Sequence, residues 1–165
     1  MITLVRDRQT IYYATYRGEE EIIKGGQYTG DRRKLYDPVE RVEMPVSGAR
    51  TAYGFVSETV KMDFFGLDKE YSKTMWTHDK SLPITEETIL WLKMGDLPTY
   101  NAYSTYSAGE KVIHDGKIYA CTESVEQPTE FDPSAWKTVP HNYIVTGISE
   151  TPNTTGYAIK EVDFR

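Results

Sequence analysis

Asp115-Gly116 is the pair of residues that most narrows what this chain can fold into. It stands between two short β-prone runs, Lys111-Val112-Ile113-His114 and Lys117-Ile118-Tyr119-Ala120. A two-residue type I′ turn needs φ > 0 at both central positions, and Asp-Gly supplies it, so the spacing predicts a tight hairpin. Tyr106-Ser107-Ala108-Gly109-Glu110 predicts a turn on its N-terminal side. On its C-terminal side a polar loop holds Pro128 and Pro133, which bar regular structure, and Trp136-Lys137-Thr138-Val139 predicts a last short strand. The stretch 106–139 thus reads as a small β cassette. It lies between two apolar runs, Ile89-Leu90-Trp91-Leu92 and Tyr143-Ile144-Val145, which read as consecutive strands of another structure. The expected organisation is a discontinuous frame, 1–95 with 141–165, and an inserted module, 96–140.

In the frame, Ile11–Tyr16 and Glu20–Ile23 predict two antiparallel strands joined by a turn at Arg17-Gly18-Glu19. Tyr28-Thr29-Gly30-Asp31 predicts a polar turn. Residues 39–46 alternate as a strand, 73–77 predict another, and 157–162 the closing one. Residues 51–65 are apolar without a clean period and predict a partner-dependent loop or a short helix. Pro83–Glu87 resembles one helical turn with Thr85 as its N-cap. Many short strands with almost no helix predict an all-β fold, a small barrel with the cassette inserted in one loop. Thirteen tyrosines in 165 residues favour the same class.

The formal net charge of −6 is unevenly spread. Residues 96–140 hold 3 basic and 7 acidic side chains, a balance of −4, against −1 for 1–95 (14 and 15) and −1 for 141–165 (2 and 3). Neither part carries the basic face of a nucleic-acid clamp. The single cysteine, Cys121, permits no intrachain disulfide. No apolar run approaches a membrane-spanning helix, and the first residues lack a signal-peptide core, so the chain is expected in the cytosol.

His78, His114 and His141 have no neighbour at metal-ligand spacing, and no cofactor is implied. Glu19-Glu20-Glu21 reads as a solvated turn and Arg32-Arg33-Lys34 as a solvated basic face. Gly25-Gly26 lacks the Lys-Ser/Thr and the helix of a phosphate loop. Cys121 falls inside a predicted strand, where a small buried residue suits packing. Nothing assembles a nucleophile, a base and an oxyanion site, so no enzyme is expected.

The cassette resembles the small chitin-binding type of carbohydrate-binding module. The matching residues are Tyr106, Gly109, Glu110 and Val112, then Asp115, Gly116, Lys117, Tyr119 and Cys121, then Pro128, and last Trp136, Lys137 and Val139, with Tyr100 or Tyr103 where the module begins. The resemblance implies a tiny antiparallel sheet that displays aromatic rings to sugars. Thr122-Glu123 stand where the family carries its exposed aromatic pair. Tyr100, Tyr103, Tyr106, Tyr119 and Trp136 are therefore candidates for cassette core or glycan contact.

With the cassette set aside, the frame is similar to phage head-closure proteins, the stopper of the head–tail connector. The resembling pieces run from Arg6–Tyr13 through Val46–Arg50, Phe65-Gly66-Leu67, Tyr71-Ser72-Lys73, Pro83-Ile84 and Leu90-Trp91 to His141–Val145 and Gly156–Val162. That resemblance implies a non-enzymatic β-barrel subunit of the virion neck, assembled in the host cytoplasm. It would form a homo-oligomeric ring between a portal adaptor and a tail terminator, and retain packaged DNA without reading its sequence. A stopper needs a segment with two arrangements, which weakly packed structure supplies. Tyr53, Gly54, Phe55, Lys61, Phe64 and Phe65 are the candidate gate or intersubunit loop. The alternatives are a carbohydrate-binding protein whose function is the 96–140 cassette, and a phage tail or baseplate decoration component.

Overall fold

A computed structural model describes residues 8–48, 50–51, 54–55, 60–62 and 69–162, with the backbone alone at 50–51, 54–55, 60–62 and 69–70. The fold is all-β. Six strands close into a barrel: β1 (Arg8–Ala14), β4 (Glu40–Gly48), β9 (Lys73–Thr77), β10 (Ile89–Leu92), β14 (Tyr143–Glu150) and β15 (Thr155–Glu161). Around the wall the order is β1, β10, β14, β15, β9, β4, every neighbour antiparallel. Closure removes the edge strands of an open sheet, although β4 pairs β9 only from Val46 to Gly48. Side chains alternating along each strand fill the interior, among them Ile11, Tyr13, Met44, Met75, Leu90, Leu92, Tyr143, Val145, Tyr157 and Ile159. Tyr13 donates its hydroxyl to Glu40 at 3.0 Å, and burial together with that carboxylate pushes its pKa up to about 12.

Strands β1 and β10 are unlike the others, because Ile11–Ala14 and Ile89–Leu92 are buried at every position. A strand reads as a continuous apolar run when both its faces are covered. The inner face of this pair is in the barrel core. The outer face, Tyr12, Ala14, Ile89 and Trp91, lies beneath the cassette, packed with Ile118 and with Ile113 and Val139.

The cassette is a three-stranded sheet of β11 (Lys111–His114), β12 (Lys117–Cys121) and β13 (Trp136–Thr138). Its turn is as the sequence predicts. Asp115 and Gly116 have φ of 49° and 73°, and His114 pairs with Lys117. A 3₁₀ turn, Pro133–Ala135, leads into β13, capped by Asp132, whose side chain accepts from the Ser134 backbone N–H. Asp132 is held below the usual carboxylate range by those hydrogen bonds from Ser134.

The N-terminal region differs from expectation. Strand β1 does not pair with the following strand. It pairs with β4 and β10, and the chain then leaves the barrel as a hairpin arm, β2 (Tyr16–Lys24) and β3 (Gln27–Tyr36). The predicted turns at Arg17–Glu19 and Tyr28–Asp31 are both strand. The arm turns instead at Gly25-Gly26, with φ of 58° and 77°. Complementary charge explains the pairing. Glu19, Glu20 and Glu21 lie opposite Lys34, Arg33 and Arg32, and Arg32 meets Glu19 and Glu21 while Arg33 meets Glu20.

Residues 51–65 also depart from the loop-or-helix expectation where they are described. β5 (Arg50–Thr51) pairs with β6 (Gly54–Phe55), and β7 (Val60–Met62) pairs with β8 (Lys69–Tyr71). Pro83–Glu87 contains no helix. Thr88 donates its backbone N–H to Thr85 O at 3.2 Å, and Thr85 donates its own to the Thr88 hydroxyl, closing a single turn. No helix among the described residues is long and apolar enough to cross a membrane.

Candidate functional site

Within the cassette, the predicted aromatic residues come together. Tyr100 stacks on Tyr106 with ring centroids 5.4 Å apart, and both meet Trp136 edge-on at 5.7 and 5.2 Å. Tyr119 reaches the same cluster through Phe131. Trp136 is buried with Val112 and Cys121, so it is core. Two members escaped sequence reasoning: Phe131, and His114 stacked on it at 4.0 Å. Their one signal was position, since His114 ends β11 and Phe131 is the only apolar side chain between the two loop prolines. Tyr100 donates its hydroxyl to Thr129 O at 2.6 Å, and its pKa is raised by burial, then by Tyr106 and Glu130. Tyr103 stands apart, 89% exposed. Stacking on a sugar takes a free ring face, and these rings mostly stack on one another. Thr122 donates its hydroxyl to Ala135 O, and Cys121 its thiol to Glu123 O, so this stretch ties the cassette internally.

The cassette is fastened to the barrel by polar contacts as well as apolar ones. The Trp91 indole N–H donates to Val139 O at 2.9 Å, the Tyr12 hydroxyl accepts from Leu97 N, and Val39 N donates to Gly116 O. Arg41 on β4 pairs with Asp96 at 2.7 Å.

Among the described residues, the arm is held only near its root. Asp37 N donates to Thr15 O, Arg17 pairs with Asp37 at 2.9 Å, Tyr16 meets Tyr36, and Lys34 reaches Glu87 at 3.5 Å. Beyond that β3 is exposed from Gln27 to Lys34, and β2 alternates between exposed and half-buried residues. Ile23 and Tyr28 pair across the tip and are 62% and 53% exposed. Sequence reasoning missed this arm. The signal was available, in an acidic and a basic triplet on either side of Gly25-Gly26.

A cleft of about 510 Å³ opens in the barrel wall between β4 and β9. The two strands pair at Val46↔Met75, Ser47↔Thr74 and Gly48↔Lys73 and no further toward Pro45. Proline has no N–H to continue the ladder. The walls splay there, and Val42, Met44, Trp76 and Leu82 line the gap, with Arg8, Glu43 and Asp79 around it.

Of the candidate gate, Tyr53, Phe64 and Phe65 lie outside the described residues. Gly54 and Phe55 pair with Thr51 and Arg50, and Lys61 with Glu70. The histidines are dispersed. His78 bonds the Asn153 carbonyl, His114 is in the cassette, and His141 lies edge-on to Trp91 at 6.2 Å. No group of three or more His, Cys, Asp or Glu that could hold a metal ion occurs among the described residues.

Neither models of known protein families, nor curated proteins, nor solved structures match this chain.

Proposed function

We propose that the chain is a non-enzymatic, ring-forming subunit of the phage neck, of the head-closure kind, seated between portal adaptor and tail and retaining packaged DNA. The observation that carries the reading is the arm. A two-stranded ribbon is marginal in water without a further strand or a packing face. Here one projects from a closed barrel, is held only at its root among the described residues, and ends in an exposed apolar pair. Such a ribbon is completed by a neighbouring subunit. Glu19, Glu20 and Glu21 are matched by Arg32 and Arg33 within the arm, so most of its charge suits a protein neighbour rather than phosphate.

On this reading the cassette is a buttress on the outer wall of the barrel, and its −4 balance keeps it away from the DNA channel. Electron microscopy of the purified chain, with native mass spectrometry for copy number, tests the proposal. Closed annuli, or a stable complex with a portal adaptor, are expected. A monomer that binds no adaptor and is retained on chitin would instead favour the carbohydrate-binding alternative.

A further inference from the structure

The arm tip and the seam cleft are complementary and lie apart on the same chain. The tip offers two apolar side chains, Ile23 and Tyr28, on one face and Lys24, which has no ion pair among the described residues, on the other. The cleft offers apolar walls, with two carboxylates, Asp79 and Glu43, the latter also paired with Arg41 at 3.1 Å, beside Arg8 and His78. No residue of the arm lines the cleft. The arm leaves at the Ala14 end of β1, whereas the cleft opens beside Arg8 at the other end, roughly 20 Å away at about 3.3 Å per residue. The cleft also presents backbone suited to a hairpin. Strand β4 is paired on its β9 side only from Val46 to Gly48, so Glu40–Pro45 has no strand neighbour on that side among the described residues. An exposed ribbon and an open strand edge are the two halves of a β-augmentation contact.

We propose that the arm tip of one copy seats in the seam cleft of the next, with Ile23 and Tyr28 against Val42, Trp76 and Leu82 and Lys24 facing Glu43 and Asp79. This deepens the ring reading and rests on it. Because tip and cleft are different patches, the contact is heterologous. Repeated, it closes into a ring or runs on as a filament, and it does not stop at a two-fold dimer.

Complementation tests it. One variant loses the tip (Ile23→Asp with Tyr28→Asp) and another the cleft charges (Glu43→Lys with Asp79→Lys). All four positions are exposed, and circular dichroism checks that each variant folds. By native mass spectrometry each variant alone is expected to be monomeric. An equimolar mixture should give a one-to-one heterodimer and nothing larger, since it holds one intact tip and one intact cleft. Lys24→Glu added to the cleft variant should restore self-assembly. A tip variant that assembles like the wild type overturns the tip contact and leaves the ring reading standing. A tip variant that is monomeric beside a cleft variant that still assembles overturns the choice of cleft. Wild-type filaments abolished by the tip variant keep the contact and remove the neck ring. A wild-type chain that stays monomeric overturns both.

Discussion

The Asn142 side chain stands in for backbone against Leu92. Its Oδ1 accepts from Leu92 N at 2.8 Å, and its Nδ2 donates to Leu92 O at 2.8 Å. Strands β10 and β14 pair directly at Ile89↔Ile144 and Leu90↔Tyr143. Past that point the chain departs for the cassette, and one amide side chain extends the ladder. Without it, a fully buried residue would keep an unpaired N–H and C=O.

Asn142→Ala should therefore cost on the order of 2–4 kcal/mol, from two lost hydrogen bonds and a stranded backbone donor. Chemical denaturation reads the total. Hydrogen exchange reads the place, because Leu92 should lose protection while Val145, whose N–H donates to Thr88 O, keeps it. Unchanged exchange at Leu92 would mean that another group satisfies it.

Gly116 of the cassette packs closely against Pro38 of the frame. A Cβ there would sit 2.8 Å from Pro38 Cβ and 3.0 Å from its Cα, at φ +73°. Gly109, at φ +91°, has nothing within 4 Å. Gly109→Ala should cost about 1–2 kcal/mol from left-handed backbone strain alone. Gly116→Ala adds overpacking and should cost about 1–3 kcal/mol more. Equal losses in thermal melts would show that the Pro38 segment yields and does not fix the cassette.

These two positions show what the sequence made legible. The Asp-Gly turn, the β10 and β14 runs and the all-β class were readable, because local φ demands and apolar runs are local signals. Tertiary pairing was not. Ile11–Tyr16 gives no sign that its strand is flanked by β4 and β10, since the charged arm separates it from β4 and over 70 residues separate it from β10. The unbroken apolar run Ile89–Leu92 is the local signal of a strand covered on both faces. Nothing local said that the cover was Ile113, Ile118 and Val139 of the cassette. The arm hid behind its composition, because polar triplets read as turns until they are placed opposite one another.

His141 ties stability to pH. Its pKa is lowered from the ordinary 6.5, first by burial and then by Lys34. A base depressed in the fold is held neutral there, so the unfolded chain binds more protons below that value. The contribution is complete above pH 6.5. It is lost as pH falls through the folded pKa. Stability measured by denaturant should decline as pH falls below 6.5, and His141→Gln should flatten that slope. Lys34→Met should raise the His141 pKa, seen in its ring-proton titration. A slope unchanged in His141→Gln would assign it to another group.

The cassette and the barrel should unfold together. At the sequence level the cassette is expected to melt alone, yet Ile113, Ile118 and Val139 cover Tyr12, Ala14, Ile89 and Trp91, and the Trp91 N–H is bonded to Val139 O. Trp136 holds the far side of that sheet, packed with Val112, Cys121 and four aromatic neighbours. Trp136→Ala should cost about 3–5 kcal/mol, as large-to-small changes of buried aromatics do. The loss should lower one calorimetric transition for the whole chain. Deleting 96–139 should uncover the outer faces of β1 and β10, leaving an exposed apolar patch and a tendency to aggregate. Adding Ile89→Thr and Trp91→Lys to the deletion should recover solubility if that uncovered patch is the cause. Two separate transitions in the full-length chain, or a plain deletion as soluble and as stable as the parent, would show instead that the cassette is a passenger.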